Sequence, residues 1–167
     1  MPAHEHKAKA PTSVRCYVVT VSDTRTEAND ASGLTARQLI TAGGHEVTGY
    51  RIITDDPGEV SALVRRISNE GSTDAIILNG GTGIARRDST HEAIAGLLDK
   101  RLDGFGELFR MLSYQEIGTA AMLSRALGGI VGRTCVFSLP GSTAAVRLGL
   151  EKLILPELGH LVAELRK

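Results

Sequence analysis

A chain of 167 residues that is 42% hydrophobic and 23% charged has room for one domain with a three-layer core. Its 19 basic side chains balance its 19 acidic ones, so it lacks the basic surface that nucleic acid and anionic membranes reward. With 4% aromatics and no tryptophan there is no platform for stacking single-stranded bases, and no apolar run reaches the roughly 18 residues of a membrane span.

Residues 1–13 carry His4, His6, Lys7, Lys9, Pro2 and Pro11 but no apolar segment. They read as a flexible tail rather than a signal peptide, ahead of a single domain over 14–167 in a cytoplasmic protein. Residues 14–21 are rich in β-branched side chains and predict a first strand, cut short by Ser22, Asp23 and Thr24. The polar loop runs on to Ser32 and Gly33. A helix is expected over 34–42, with Leu34, Leu39 and Ile40 inward and Gly43-Gly44 as its stop. A second strand over 47–53 leads to Thr54, Asp55, Asp56 and Pro57, an acid at a cap and proline at the first helical position. Val60, Leu63, Val64 and Ile67 then form an i, i+3, i+4, i+7 stripe that ends by Gly71.

The third strand, 75–78, is followed by Asn79-Gly80-Gly81-Thr82-Gly83, and then by Arg86, Arg87 and Asp88. Without Cβ atoms, such a turn lets backbone approach a ligand, and free N–H groups, a hydroxyl, cations and one acid suit a phosphate and its metal. A tight connection between elements is the bland alternative. Helices are expected over 90–98, 105–118 and 119–127, with Gly128-Gly129 as an interruption. A strand over 134–139 runs into Pro140-Gly141-Ser142, and a helical region over 143–165 is bent at Pro156. Cys16 and Cys135, each inside an apolar strand, read as buried small hydrophobes. Alternating strands and helices predict an α/β, three-layer sandwich with a mainly parallel central sheet and helices on both faces.

In an open parallel sheet the strand ends share one edge, where ligands bind. Asp23, Asp55, Asp88, Ser22, Ser142 and the glycine turn would therefore meet at one rim. Competing roles exist for each: Asp55 or Asp56 as a helix cap, Asp23 as an Asx-turn residue, Asp88, Ser89 or Thr90 as the next cap, Arg87 paired with Asp88, His91 solvated. No nucleotide-binding G-x-G-x-x-G, Walker loop, catalytic triad or zinc spacing is present. Acids with backbone amides fit magnesium held by one or two carboxylates and by substrate phosphates.

Thr20-Val21-Ser22-Asp23, Gly80-Gly81-Thr82-Gly83 with Arg87-Asp88, Leu123-Ser124-Arg125-Ala126 and Leu139-Pro140-Gly141-Ser142 occur in that order. Together they resemble the MoaB/MogA family of molybdenum cofactor biosynthesis proteins, over almost everything after the tail. The run from Gly104 through Ser113, with Glu116-Ile117-Gly118, is most similar to the MoaB branch. The resemblance implies a molybdopterin adenylyltransferase, a nucleotidyltransferase that uses ATP and magnesium and releases pyrophosphate. Its product would pass to a downstream molybdate-inserting enzyme. Position by position it implies Asp55 and Asp88 as the catalytic and magnesium-binding pair, and Gly80, Gly81, Thr82 and Gly83 as the ligand loop. It also implies Ser22, with Asp23 beside it, and Ser124 at the pterin and phosphate site, and Pro140, Gly141 and Ser142 as a second ligand-facing turn. Thr54 departs from the proline common before the first acid. A homo-oligomer built on trimers, a homohexamer first, is implied as well. The alternative within the family is a protein that binds molybdopterin or nucleotide without turnover.

Overall fold

The structure, a computed structural model, describes residues 10–167. Six strands form one sheet: β1 (Arg15–Val21), β2 (Glu46–Ile53), β3 (Ala75–Asn79), β4 (Lys100–Arg101), β5 (Leu127–Val131) and β6 (Thr134–Leu139). Their order is β2-β1-β3-β6-β5-β4; the first four are parallel, β5 is antiparallel to β6, and β4 is antiparallel to β5. Thr20, Asn79 and Leu139 stand level on neighbouring strands, so the polar turns that follow β1, β3 and β6 open at one edge.

Two apolar cores cover the two faces, as the expected three-layer sandwich requires. On one face lie α1 (Ala31–Ala42), α4 (Asp103–Ile117), α5 (Thr143–Gly149) and α6 (Leu155–Leu165), which bury Ile40, Phe109, Val146 and Leu158 against Val18 and Phe137. On the other, α2 (Pro57–Glu70) and α3 (Thr90–Leu97) bury Val60, Val64, Ile67 and Ile94 against Val19, Ile76 and Val136. The predicted stripe on α2 is fully inward: all four of its residues are buried. Asp56 caps that helix by accepting from the Glu59 amide at 2.9 Å, Pro57 opens it, and Gly71 closes it in a left-handed conformation.

Three expectations fail locally. The first helix starts at Ala31 rather than Leu34, because Asp30 caps it through the Gly33 amide at 3.1 Å. The helix expected over 119–127 is a 3-10 turn, Gly118–Leu123, followed by β5. Gly128 and Gly129 lie inside that strand because neighbours leave no room for side chains. A Cβ at Gly128 would sit 3.0 Å from the rings of Phe105 and Phe137, and one at Gly129 would sit 2.4 Å from the Lys100 carbonyl. The bend expected at Pro156 is a π-helical turn just before it, Leu150–Ile154. The expected tail falls mostly outside the described residues, while Pro11 lies against Gly159 on α6.

Candidate functional site

The turns after β1, β3 and β6, together with α4 and the 3-10 turn, enclose a cavity of about 560 Å³. Of the residues predicted at the site, Ser22, Gly80, Gly81, Thr82, Gly83, Asp88, Ser124, Pro140, Gly141 and Ser142 all line it. Asp23 and Asp55 stand just outside.

Gly80 and Gly81 both have positive φ, 102° and 68°. Close approach requires this as much as the turn does. A Cβ on Gly80 would lie 2.1 Å from the Val21 carbonyl, and one on Gly81 would lie 2.0 Å from Thr90 Oγ1 and 2.7 Å from Asp55 Oδ2. The two glycine turns also meet backbone to backbone, for a Cβ on Gly141 would be 3.2 Å from the Gly80 Cα. Arg125 grips the loop by its carbonyls: Nε donates to Thr82 at 3.2 Å and Gly83 at 3.1 Å, and Nη2 donates to Asp88 at 3.3 Å and to Gly83. Glu92 holds the same guanidinium. Among the described residues, the amides of Gly81, Thr82 and Gly83 have no acceptor. A rigid turn with its carbonyls engaged and three amides unspent is suited to an anion.

The acids divide their work. Asp55 is buried beneath the loop, and its Oδ1 accepts from Ser89 Oγ at 2.8 Å, the Ser89 amide at 3.2 Å and Thr90 Oγ1 at 3.4 Å. It thereby ties the end of β2 to the start of α3, where the N-cap residue Ser89 makes no capping bond of its own and instead donates to Asp55. Asp55 Oδ2 is left without a described partner, under Gly81. Asp88 takes the Ala85 amide on Oδ2 at 3.0 Å and likewise keeps one oxygen free, on the cavity wall. Free carboxylate oxygens are donors of the kind magnesium takes, but among the described residues no three His, Cys, Asp or Glu side chains cluster to hold a metal by themselves, so phosphate oxygens and water would have to complete its shell.

Asp23 is not an Asx-turn residue, and it is exposed just outside the cavity lining. It forms a two-pronged pair with Arg87, at 2.7 and 3.0 Å, and accepts the Asp55 amide at 3.0 Å. The Arg87 fork first, then that amide, hold its carboxyl below the usual range. Arg87 therefore reaches Asp23 rather than Asp88. The turn after β1 is made by Ser22, whose Oγ accepts from the Thr24 and Arg25 amides.

Sequence reasoning missed Arg25, Asp30 and Asn79. Arg25 lines the cavity and donates to the Gly141 carbonyl at 2.8 Å and to Ser32 Oγ at 2.6 Å, with Asp30 3.6 Å away. Asp30 is buried and accepts from Thr20 Oγ1 at 2.6 Å, the Gly33 amide and the Tyr50 hydroxyl. Burial works to raise its pKa, but these donors and Arg25 outweigh it and leave the carboxyl below the usual range. Asn79 completes the network through Ser32 and Thr20. The signal for Asp30 was available, an acid three residues before a helical glycine amide, but Gly33 disguised the helix start.

Residues 17–160 match the family model described as a probable molybdopterin binding domain. The chain belongs to this family. Molybdenum cofactor biosynthesis protein B of Bacillus cereus is 53% identical across all of this chain and 99% of that protein, and the one of Bacillus subtilis is 51% identical over the same shares. A crystal structure of molybdenum cofactor biosynthesis protein B superposes with a TM-score of 0.91 at 54% identity, covering 95% of this chain and 99% of the other. The tungsten cofactor synthesizing protein MoaB from Pyrococcus furiosus superposes with a TM-score of 0.85 at 40% identity, covering 95% and 100%.

Proposed function

We propose that this chain acts in molybdenum cofactor biosynthesis as a magnesium-dependent molybdopterin adenylyltransferase in the cytoplasm. One observation carries the reading: unspent loop amides, the free oxygen of Asp88 and the Arg25 guanidinium all border one cavity large enough for a pterin and a nucleotide's phosphates. The names of its relatives support the pathway.

The terminal phosphate of molybdopterin is largely ionised near neutral pH, its second pKa being about 6. It can attack the α-phosphorus of ATP directly, forming one P–O bond as the bond to pyrophosphate breaks. No general base is needed, so His91, turned to the Arg125 carbonyl at 2.8 Å, has no part in it. The chain's work is to place two phosphates in line and neutralise them. The amides of Gly81 to Gly83 would hold phosphate oxygens, Arg25 would add charge, and Ser22, Ser124 and Ser142 offer hydroxyls at the walls. Asp88 and Asp55 would hold magnesium, which supplies charge neutralisation at the transferring phosphoryl group. The adenylylated pterin would then go to a molybdate-inserting enzyme. Adenylyl transfer from ATP to molybdopterin is the test: wild type turns over, and Asp88→Asn loses about a hundredfold. A wild-type protein that binds both substrates without forming adenylyl-pterin would instead be the non-catalytic family alternative.

The same reading makes the chain a homo-oligomer built on trimers, the hexamer first. Leu108, Met111, Tyr114 and Ile117 form an exposed row along α4, continued by Met122, and apolar area of that extent is rarely left in water by a monomer. Light scattering that gives one subunit's mass at micromolar protein with ligand bound would overturn it.

A further inference from the structure

The opposite edge of the sheet holds a second, smaller cavity of about 260 Å³, walled by residues from the start of β1, the β5–β6 turn and the end of α6. It lies one strand length from the glycine loop, roughly 20 Å at about 3.3 Å per residue. We propose that this cavity binds a compact tetrahedral dianion, the oxyanion class that spans phosphate, sulfate and molybdate, between Arg15, Arg133 and Arg166.

The argument is one of charge and donors. Asp74, buried at the base of the cavity, is already matched by Arg15, which gives it Nε at 3.0 Å, Nη2 at 2.9 Å and its backbone amide at 3.0 Å. A two-pronged guanidinium pair with an added amide satisfies a carboxylate. Arg166 nevertheless joins it at 3.3 Å, and Arg133, on the hairpin turn, makes no ion pair with any described residue. Three guanidinium groups around one carboxylate leave a surplus of two positive charges in the lining.

The donor supply points the same way. The hydroxyls of the lining are spent inside the protein, Thr134 Oγ1 donating to Ser68 Oγ and Ser68 Oγ to the Val131 carbonyl. The side-chain N–H groups left over are therefore the guanidinium fork of Arg133 and the guanidinium N–H groups of Arg15 and Arg166 not engaged by Asp74, and such forks match oxyanion edges. Among the described residues, Val162 and Leu165 are the only apolar side chains of the wall, too little surface for an organic tail, so the occupant is a small ion.

Amide NMR on the full chain, titrated with phosphate, sulfate, molybdate and chloride at matched ionic strength, tests this. Saturable shifts at Thr73, Gly132 and Arg133 are expected from the dianions and not from chloride. Phosphate held by the glycine loop would report separately at Gly81 to Gly83. Arg133→Gln leaves the Asp74 pairs in place and should weaken binding by roughly tenfold or more, the effect of losing one charge-assisted contact. Arg133→Lys, which keeps the charge but not the fork, should weaken it less. The ranking of the three dianions identifies the physiological ion within the class. Shifts that never saturate, chloride acting as well as phosphate, or an unchanged affinity in Arg133→Gln would each overturn the assignment.

Discussion

Asp55→Asn separates the anchoring job visible in the structure from the magnesium-binding job proposed for the same side chain. The substitution keeps the shape and removes the charge. Oδ1 carries three hydrogen bonds, of which those at 2.8 and 3.2 Å have good length and the one at 3.4 Å is weak. Bonds to an ionised acceptor are worth about 1.5–3 kcal/mol and neutral ones about 0.5–1.5. Turning two such bonds neutral should therefore cost about 2–3 kcal/mol, or a fall in melting temperature of roughly 4–12 °C for a domain of this size. Under the proposed function, adenylyl transfer should fall by about a hundredfold, because the charge of a carboxylate proposed to hold magnesium is lost. Asp88→Asn should lose as much activity with almost no change in stability, since its one structural bond is a surface contact to the Ala85 amide. Asp56→Asn should change neither, because asparagine caps α2 nearly as well as aspartate. Melting curves and transfer rates at saturating magnesium on the three variants read this pattern. Near-normal turnover by Asp55→Asn would remove it from the catalytic pair, and an unchanged melting temperature would deny that it anchors α3.

Arg125→Lys should loosen the glycine loop and weaken binding of both substrates by roughly tenfold, because an ammonium cannot reach the carbonyls of Thr82, Gly83 and Asp88 together; unchanged affinity by calorimetry would contradict this. Gly81→Val should abolish ligand binding and also destabilise the fold by about 2 kcal/mol or more, since its Cβ meets Thr90 and Asp55 at a φ of 68°; a melt equal to wild type would show that the turn can relax. Asp74 gives a pH signature. Burial works to raise its pKa, but Arg15 and Arg166 more than offset this, so the folded pKa lies below the unfolded value of about 3.9. The resulting stability is present above that value and lost as pH falls through the folded pKa. Asp74→Asn should thus melt lower than wild type at neutral pH and converge with it in acid; a gap that stays constant in acid would refute the linkage.

What the sequence made legible depended on whether the signal was local. The α2 stripe, its Asp56 cap and the β6 strand are each written within a dozen residues by periodicity and turn chemistry, and they stand where expected. The strand-end rim followed from the parallel alternation alone, since any parallel sheet gathers its turns at one edge. Apart from the Asp30 cap, whose partner Gly33 is local, the misses are non-local. Gly128-Gly129 reads as a breaker until Phe105, Phe137 and Lys100 arrive from elsewhere in the chain to occupy the space. Arg87 has an acid beside it in sequence, yet pairs with Asp23, 64 residues away. Arg125 looks like an ordinary surface cation, and only its contacts 37 to 43 residues distant make it the clasp of the glycine loop. Asp55 and Asp56 could not be told apart by propensity. The backbone separates them, turning one into the α2 cap and the other under Gly81.

If the chain assembles as proposed, α4 would link the site to assembly. Its inner face is fixed by Phe105 and Phe109, the former edge-on to Phe137 with ring centroids 4.9 Å apart. One turn further along, Ser113 and Ile117 line the ligand cavity, and the 3-10 turn adds Leu123 and Ser124. The outer side of this same wall is the exposed row of Leu108, Met111 and Tyr114. The cavity is thus closed on that side by a single helix whose far face is apolar and, within one subunit, uncovered. A second copy packed there would restrict the wall's motion and so reduce the ordering cost of filling the cavity. By linkage, a ligand that orders the wall must favour the assembled form by the same factor that assembly favours the ligand. Subunit association and substrate affinity in this protein should therefore move together, and the residues that join them are those of α4.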